Sequence, residues 1–151
     1  MNDFFSKLEI NFIKTEKSTR MLKKPLNAVA DFHKAFGLGI AEKPTVALSD
    51  EVKTLRFNLM KEENEEYLEA VQNNDLVEVA DALGDMLYIL CGTIISHGLQ
   101  DKIEAVFDEI QRSNMSKLDA NGKPIYREDG KVMKGPDYFK PDIASILKIP
   151  S

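Results

Sequence analysis

Two long helical patterns, separated by a four-residue break, constrain the fold of this chain more than any other feature. Apolar residues recur at helical spacing over about 50–71, after Ser49 as a favourable N-cap, and again over about 75–97, where Gly98 ends the pattern. The break "QNND" is too short to direct the second helix anywhere except back along the first. The sequence therefore predicts an antiparallel helix pair at the centre of the fold.

Weaker helical patterns flank this pair on both sides. Upstream, "KPLNAVADFHKAFG" predicts a helix with Pro25 at its first position and Gly37 as its C-terminal cap. Downstream, residues 101–117 carry apolar side chains on one face, and residues 5–12 show a fainter helical spacing. These patterns add two or three shorter helices to the central pair.

The last part of the chain differs from the helical body. The dipeptides "NG" and "DG" are turn signals, and the second lies within "PIYREDGKVMK", which can close a small hairpin. A length of 151 residues suits one domain. We therefore predict an all-α fold in a single domain, 1–151. It is an antiparallel helical bundle of about four to five helices with a short C-terminal hairpin or irregular tail over about 119–151.

Composition and charge limit the partners that this chain can have. The net charge of −5 and the sequence pI of about 5.1 argue against general binding to nucleic acid, but they allow a small phosphorylated ligand held by local cations. Cys91 is the only cysteine, so an internal disulfide is impossible and a reducing compartment fits. No apolar run approaches the ~20 residues of a membrane span. We expect a cytoplasmic protein that binds neither nucleic acid nor membranes.

Three glutamates interrupt the apolar stripe of the first long helix. At roughly 100° per residue, Glu62, Glu63 and Glu66 fall on the same arc as the apolar side chains. An unpaired carboxylate directed at a core is costly, and neighbouring carboxylates of like charge raise that cost. The apolar members of this arc are Val52, Leu55, Leu59 and Ala70, and the charges predicted for the solvent face are Lys61, Glu65 and Glu69.

The second long helix carries a matching set of acids. Glu78, Asp81 and Asp85 follow one another at i, i+3 and i+7 on a narrow arc beside the apolar stripe. Because the chain turns at the break, Glu66 comes level with Asp81, and Glu62 and Glu63 come level with Asp85 and Gly84. The apolar stripe of this helix is predicted to consist of Leu76, Val79, Leu83, Met86, Leu87 and Leu90.

Carboxylates that face one another across a helix pair form a donor set suited to a hard divalent cation. Mg²⁺ and Mn²⁺ prefer oxygen ligands, and Mg²⁺ commonly keeps waters and shares phosphate oxygens with a substrate. Two of these acids also fit purely structural roles. Glu78 follows Asp75 by three residues, as in a capping box, and Glu62 is a possible ion-pair partner of Arg56 or of a neighbouring lysine.

These acids lie in motifs that resemble those of the all-α nucleoside triphosphate pyrophosphohydrolases. "EENEE" matches the EExxE motif, and an acid-rich helix ending in "DALGDMLYILCG" follows it. The flanking "DFHKAFG" and "EIQRSNMSK" extend the likeness over most of the chain, to the MazG-like and dimeric dUTPase-like members beside phosphoribosyl-ATP pyrophosphohydrolase. One position departs from the second motif, ExxD: Ala82 stands where its glutamate is expected before Asp85, and Asp81 is the nearest substitute.

The resemblance implies a reaction in which water attacks the α-phosphorus of a nucleoside triphosphate and releases the monophosphate and pyrophosphate. It also implies Mg²⁺ as cofactor, with Mn²⁺ as an alternative, and a cellular role in removing non-canonical or surplus nucleotides. Glu62 is the candidate general base. The candidate metal ligands are Glu63, Glu66, Asp81, Asp85 and, with helix capping as the alternative, Glu78.

The resemblance further implies contacts to the nucleotide and to a second copy of the chain. By resemblance, Asn114 and Lys117 contact the nucleotide. Lys131 and Lys134 in the tail are either further phosphate contacts or solvated lysines. His33 is either a contact to the base or a buried structural histidine, and Phe36 is predicted to be core. Members of this family pack helix pairs against copies of themselves, so a homodimer or a higher homo-oligomer is expected. The candidate substrate contacts are Asn114, Lys117, Lys131, Lys134 and His33.

Two other functions compete with hydrolysis. A di-iron carboxylate bundle requires Glu-x-x-His pairs, and neither His33 nor His97 has a glutamate three residues before it. A non-catalytic dimeric helical module, whose acids only bind a stabilising divalent cation, is compatible with the same residues. Metal-dependent stability without turnover would distinguish this module from an enzyme.

Overall fold

The computed structural model describes residues 21–149, and in this range the regular structure consists of five α-helices and one isolated β-bridge. The all-α prediction is therefore confirmed. The faint helical spacing at Phe5, Leu8 and Phe12 lies outside the described residues. The helices are α1 (Lys23–Ala35), α2 (Asp50–Gln72), α3 (Leu76–Ser96), α4 (Ile103–Met115) and α5 (Ile143–Leu147).

Helices α2 and α3 form the central antiparallel pair, and they share the most extensive helix–helix contact in the described part of the chain. Ser49 begins α2 by accepting a hydrogen bond from the Val52 N–H on its side-chain oxygen, at 3.3 Å. The turn contains Asn74 at φ +55°, a left-handed conformation that asparagine tolerates better than most residues. The Asp75 carboxylate then caps α3 by accepting two backbone N–H groups of its first turn.

The buried core lies where α1 packs across the C-terminal half of α3. Cys91 and Ile95 are each 1% exposed, and burial raises the pKa of the Cys91 thiol, which suits an inert core residue. The prediction that Pro25 is the first helical residue is wrong, because α1 begins at Lys23. Proline is tolerated in this first turn, where its missing N–H would have no acceptor within the helix. The core cluster consists of Leu26, Val29, Cys91, Ile94 and Ile95.

The apolar stripe predicted for the second long helix is mostly exposed in the single chain. Leu83, Leu87 and Leu90 are 50%, 47% and 46% exposed. The reason is that α1 packs only on the C-terminal half of α3. Within residues 21–149, no helix covers the remainder of this stripe.

The connection between α1 and α2 is held against the end of α3. The Thr45 N–H donates to the His97 carbonyl oxygen at 2.9 Å, and the His97 ring donates from Nδ1 to the Thr45 carbonyl oxygen at 2.7 Å. Gly98, at φ +66°, passes so close to the connection that a Cβ would lie 2.1 Å from the Lys43 carbonyl oxygen. These contacts fix the connection as a wall beside α1 and α2.

The C-terminal tail forms a small hairpin and then returns to α4. Tyr126 and Val132 make one antiparallel bridge around the "DG" turn, so the predicted hairpin is present as a single pair. Farther along, the Ser113 hydroxyl donates to the Phe139 carbonyl oxygen at 2.8 Å, and the Arg112 guanidinium lies 4.1 Å from the centre of the Phe139 ring. The tail is thereby tied to α4 just before the short helix α5.

Helix α3 is long and apolar enough to cross a membrane by length and composition, with a mean hydropathy of 1.5 over its most apolar window. Its N-terminal half carries Glu78, Asp81 and Asp85, and it packs against both α1 and α2. The central helix of a helical bundle has the same composition. The expectation that the protein binds no membrane stays a prediction.

Candidate functional site

The turn end of the α2–α3 pair brings five of the candidate acids together around one side chain, Glu63. The pKa of the Glu63 carboxyl is raised, first by burial and then by repulsion from neighbouring carboxylates. Those neighbours, in decreasing order of effect, are Glu66, Asp85, Glu62 and Asp81. Two of them lie on α2 and two on α3, so both helices contribute to one negative cluster, which we call the acid cluster.

One oxygen of this cluster is buried and unsatisfied. Glu63 Oε2 has no hydrogen-bond partner among residues 21–149. A buried acceptor without a donor is destabilising, and a carboxylate is more so than a neutral group. A divalent cation beside this oxygen would satisfy it and would also reduce the repulsion among the neighbouring carboxylates.

Glu78 lies beside the acid cluster, on the wall of a cavity of about 370 Å³ that Glu66 and Asp81 also line. Its backbone N–H donates to the Asp75 carboxylate at 3.2 Å, which is one half of a capping box. The Asp75 N–H instead donates to the Ala70 carbonyl oxygen at 3.0 Å, so the reciprocal half is not made. The Glu78 carboxylate is therefore not committed to capping α3.

The donors of the acid cluster fit Mg²⁺ in chemistry, but they do not form a ready-made coordination sphere. Among residues 21–149, no three His, Cys, Asp or Glu side chains are grouped so that they could hold a metal ion as they stand. Apart from the half-buried Glu63, the candidate carboxylates are exposed, so their side-chain torsions have room to change. Carboxylates of like charge repel one another, and a cation between them reverses the sign of the interaction. Coordination here therefore requires side-chain rotation.

The other charged side chains of α2 near the acid cluster differ in their surroundings. Lys61 and Glu65 form an ion pair at 3.4 Å on the exposed face of α2, as the sequence predicts. Glu69 is exposed, as the sequence predicts, and it also lines the 370 Å³ cavity. The alternative ion pair between Glu62 and Arg56 is not formed in the described part of the chain, since side chains six residues apart on a helix point to different faces.

The predicted substrate contacts on α4 and in the tail have partners of their own. At the end of α4, Lys117 Nζ donates to Asn114 Oδ1 at 2.7 Å. Lys134 Nζ lies 4.5 Å from the centre of the Tyr138 ring, and Lys131 is held in the hairpin turn by its backbone N–H. None of these contacts reaches the acid cluster, so the role of these residues with a nucleotide stays a prediction.

His33 is 2% exposed, and its ring Nδ1 lies 3.0 Å from the Gly39 carbonyl oxygen. Because a carbonyl oxygen only accepts hydrogen bonds, Nδ1 carries a proton in this contact. The prediction that Phe36 is core is wrong: its side chain is 67% exposed and stacks on Phe32, with ring centroids 4.3 Å apart. The reason is that α1 ends before Phe36, so the apolar stripe does not continue to it.

Arg56 is the residue of this region whose importance sequence reasoning missed. Burial lowers the pKa of its guanidinium, and its Nε is buried without a hydrogen-bond partner among residues 21–149. A methyl group added to Gly92 would lie 2.7 Å from Arg56 Nη1 and 3.0 Å from His33 Nε2. The sequence offers one signal for Arg56, which is its position on the helix. Arg56 shares the arc of Val52 and Glu63 and therefore faces α3.

Comparison with known proteins identifies relatives of this helical region. The family described as phosphoribosyl-ATP pyrophosphohydrolase (PRA-PH) matches residues 29–114, a range that includes all of α2 and α3. An uncharacterised protein, L479 of Acanthamoeba polyphaga mimivirus, is 30% identical over 130 residues. That match covers 82% of this chain and 50% of L479, so the chain spans half the length of this relative.

The chain is also similar to solved structures. One of them is the crystal structure of a candidate NTP pyrophosphohydrolase from Exiguobacterium sp. 255-15, which is 26% identical in sequence. The match covers 82% of this chain and 94% of that chain, with a TM-score of 0.45. The helical fold of residues 21–149 rests on the helices described above and not on this likeness.

Proposed function

The chain belongs to the phosphoribosyl-ATP pyrophosphohydrolase family, and on this premise we propose that it hydrolyses a nucleoside triphosphate to the monophosphate and pyrophosphate in a reaction that requires a divalent metal. The proposed metal is Mg²⁺, with Mn²⁺ as an alternative. The proposed role is removal of non-canonical or surplus nucleotides in the cytoplasm. The family match includes both helices that carry the acid cluster, which supports the assignment to this class of hydrolase.

The observation that carries this proposal is the repulsion centred on Glu63. Four carboxylates from two helices raise the pKa of a fifth, and one of its oxygens is buried without a partner. Such an arrangement opposes folding unless a counter-charge binds, so perturbed groups of this kind are concentrated at functional sites. The divalent metal ion that accompanies the triphosphate would supply the counter-charge.

The residues that would hold the metal are carboxylates of both helices in the acid cluster. Glu63 and Glu66 would contribute from α2, and Asp81 and Asp85 from α3, with Glu78 at the edge of the set. Bound there, Mg²⁺ would neutralise phosphate charge and lower the pKa of a coordinated water. The position of Ala82, where the family motif has a glutamate, leaves Asp81 as the nearest carboxylate on that turn of α3.

Glu62 is the proposed general base. Its carboxylate is exposed and is not among the proposed metal ligands, so it would be available to a water molecule. It would accept a proton from water as the water oxygen bonds to the α-phosphorus. The bond from the α-phosphorus to the bridging oxygen breaks, and its electron pair leaves with pyrophosphate.

Cations of α4 and the tail would contact the phosphates in this proposal. Lys117 and Asn114 already form one unit at the end of α4, with Nζ at 2.7 Å from Oδ1. Lys131 and Lys134 lie on the hairpin that follows α4 and would neutralise charge on the departing pyrophosphate. His33 is the proposed contact near the base, although its Nδ1 is committed to the Gly39 carbonyl oxygen.

We also propose a homodimer or a higher homo-oligomer as the functional unit. The exposed stripe of α3 continues onto α2, where Phe57 and Met60 line one shallow cavity together with Met86 and Leu90. An exposed apolar stripe of this length favours association, and a two-fold contact would cover the same stripe on both copies. Such a pairing would extend the α2–α3 pair into a four-helix arrangement.

The experiment that tests the proposed reaction is a turnover assay with a panel of ribo- and deoxyribonucleoside triphosphates, with Mg²⁺ or with EDTA. The expected result is metal-dependent release of pyrophosphate from one or a few nucleotides. In ¹⁸O-labelled water, the label should appear in the monophosphate and not in pyrophosphate, because water attacks the α-phosphorus. No release from any nucleotide, combined with a higher melting temperature in Mg²⁺, would instead identify the non-catalytic metal-binding module.

A further inference from the structure

A second cavity, of about 270 Å³, lies at the opposite end of the α2–α3 pair from the acid cluster. Its walls are mostly apolar and come from the α1–α2 connection and the first two turns of α2, including Leu38, Ile40, Leu48 and Leu55. The volume is close to the lower limit of small-molecule sites, which is about 300 Å³. It is therefore large enough for one ring system rather than for a whole nucleotide.

Arg56 is the charged side chain on the wall of this cavity. Burial lowers the pKa of its guanidinium, and among residues 21–149 no ion pair or hydrogen bond satisfies the buried Nε. Guanidinium nitrogens only donate hydrogen bonds, so a partner for Nε must supply an acceptor. Burying a cationic donor beside an apolar cavity without a hydrogen-bond partner costs free energy, unless a bound ligand supplies the missing acceptor.

Gly92 of α3 leaves the space that the Arg56 guanidinium occupies. A Cβ at residue 92 would lie 2.7 Å from Arg56 Nη1 and 3.0 Å from His33 Nε2, so a side chain there would displace both groups. The opposite atom of the His33 ring, Nδ1, is fixed by the Gly39 carbonyl oxygen. The guanidinium is thus enclosed between α1, α2 and α3, with Nε as its unsatisfied donor.

Arg56 and Glu63 lie on one face of α2, seven residues and about 10 Å apart along the helix axis. Phosphates bound through metal at the acid cluster would leave the uncharged part of a nucleotide to extend along the helix pair. Apolar walls favour an uncharged ring over a phosphate, and a guanidinium plane offers both a donor and a stacking surface to that ring. The spacing leaves room for the sugar between base and phosphates.

We propose that Arg56 is a specificity-determining residue, which donates from Nε to an acceptor atom on the base of the nucleotide seated in this cavity. The proposal rests on the nucleotide hydrolysis proposed above. It assigns to Arg56 a contact with the base and none with the metal or the phosphates. The substrate would be a nucleotide whose base presents a keto oxygen or an unprotonated ring nitrogen toward α2.

Calorimetric titration with Mg²⁺ present tests this contact, using the four common deoxynucleoside monophosphates and base-free inorganic tripolyphosphate as ligands. Arg56→Met should weaken binding of the preferred monophosphate by about 10- to 100-fold, the usual worth of a hydrogen bond from a charged group. Binding of tripolyphosphate should be unchanged. Arg56→Lys keeps the charge but loses the planar donor, so it should also lose affinity for the monophosphate.

The matched control is Lys53→Met, which removes one positive charge from α2 one turn earlier, where Lys53 pairs with Asp50 at 3.0 Å on the exposed face. It should bind every ligand as the wild type does. Unchanged monophosphate affinity in both Arg56 variants, or an equal loss for tripolyphosphate, would overturn the base contact while leaving hydrolysis intact. A wild type that binds tripolyphosphate but no monophosphate would also overturn the base contact, whereas absence of pyrophosphate release in the turnover assay would overturn the hydrolysis and the base contact together. If Arg56→Met fails to fold, Arg56→Lys decides the outcome.

Discussion

The two ends of the α2–α3 pair are built from the same two helices, yet they differ in burial and in charge. The acid end comprises residues 62–66 and 78–85 beside the turn, and the buried end comprises residues 52–59 and 89–96. At the buried end, Cys91 and Ile95 are each 1% exposed beneath α1. At the acid end, Ala82 is the one buried side chain.

This difference indicates that the two ends of the helix pair have different roles. Apolar burial stabilises the fold by about 25 cal/mol per Å² at any pH, so the buried end supplies stability that does not depend on ligands. The repulsion around Glu63 depends on protonation, and a bound cation would reduce it, so we expect the stability of the acid end to depend on pH and on divalent cations. Changes at the buried end should therefore act on folding, and changes at the acid end should act on metal binding and turnover.

Replacing Glu63 with glutamine should have the largest effect. Because the amide would remove the charge of the proposed metal ligand at the centre of the acid cluster, metal-dependent pyrophosphate release should fall by at least roughly 100-fold. The same change removes the repulsion from four neighbouring carboxylates, so the variant should melt at a higher temperature than the wild type in EDTA. Steady-state kinetics and thermal melting measure the two effects.

Glu65→Gln is the matched control for Glu63→Gln. Glu65 lies two residues away on the same helix, but its carboxylate pairs with Lys61 on the exposed face. This variant should keep its turnover and its response to Mg²⁺. Equal losses in the two variants would show that net charge, and not the acid cluster, controls activity.

Substitution of one glycine of α3 at each end compares the two ends directly. At the buried end, Gly92→Ala should destabilise the protein by about 1–3 kcal/mol, because its Cβ would lie 2.7 Å from Arg56 Nη1. At the acid end, Gly84 has no atom within 4 Å of an added Cβ, so Gly84→Ala should stabilise the helix by about 0.5–1 kcal/mol. Urea unfolding of both variants gives the two free energies. Changes of the same sign in the free energy of unfolding of the two variants would contradict the difference between the two ends.

Replacing Leu90 with glutamate tests the exposed stripe that the two ends share. Leu90 is 46% exposed in the single chain and lies beside Phe57 and Met60 of α2. If this stripe pairs two copies, a buried charge should convert the dimer to a monomer of 17.0 kDa. Light scattering after gel filtration measures the mass. Phe36→Ser, which changes an exposed aromatic off this stripe, should leave the dimer intact, and a wild type that is monomeric would refute the pairing.

The smallest expected effect is on the pH dependence of stability in EDTA. The pKa of Glu63 is raised above its ordinary value of 4.5, so the folded state binds more protons than the unfolded state as pH rises through that window. Glu63 should therefore lower stability progressively as pH rises from 4.5 through its raised pKa. The difference between wild type and Glu63→Gln, measured by urea unfolding from pH 4 to 7, isolates this contribution. A difference that does not vary with pH would contradict it.

The helix pair and its acids could be predicted because their signals are local. Periodicity over more than twenty residues fixes each helix, and the short break fixes their direction, so Glu63, Asp81 and Asp85 come together by helix geometry alone. Burial could not be predicted in the same way. Whether Leu87 is covered depends on how far α1 reaches along α3, which is a property of tertiary packing.

Two further features, helix α5 and the role of Arg56, could not be predicted from the sequence, for related reasons. Helix α5 has only five residues, too few to show a period, and its N-cap Asp142 is recognisable only once the tail is tied to α4. Arg56 has the right position on the helix, but an arginine among apolar neighbours is ordinarily solvated or paired. Its role becomes visible only when Gly92 and His33 are brought beside it.

Titration of the metal-free protein with Mn²⁺, followed by the electron paramagnetic resonance of free Mn²⁺, tests the central claim most directly. The wild type and Glu65→Gln should remove Mn²⁺ from solution with the same stoichiometry, and a nucleoside triphosphate analogue that resists hydrolysis should tighten the binding. Glu63→Gln should bind Mn²⁺ at least about 10-fold more weakly. Equal Mn²⁺ binding by Glu63→Gln and wild type, or none by the wild type even with the analogue, would contradict a metal centre at the acid end.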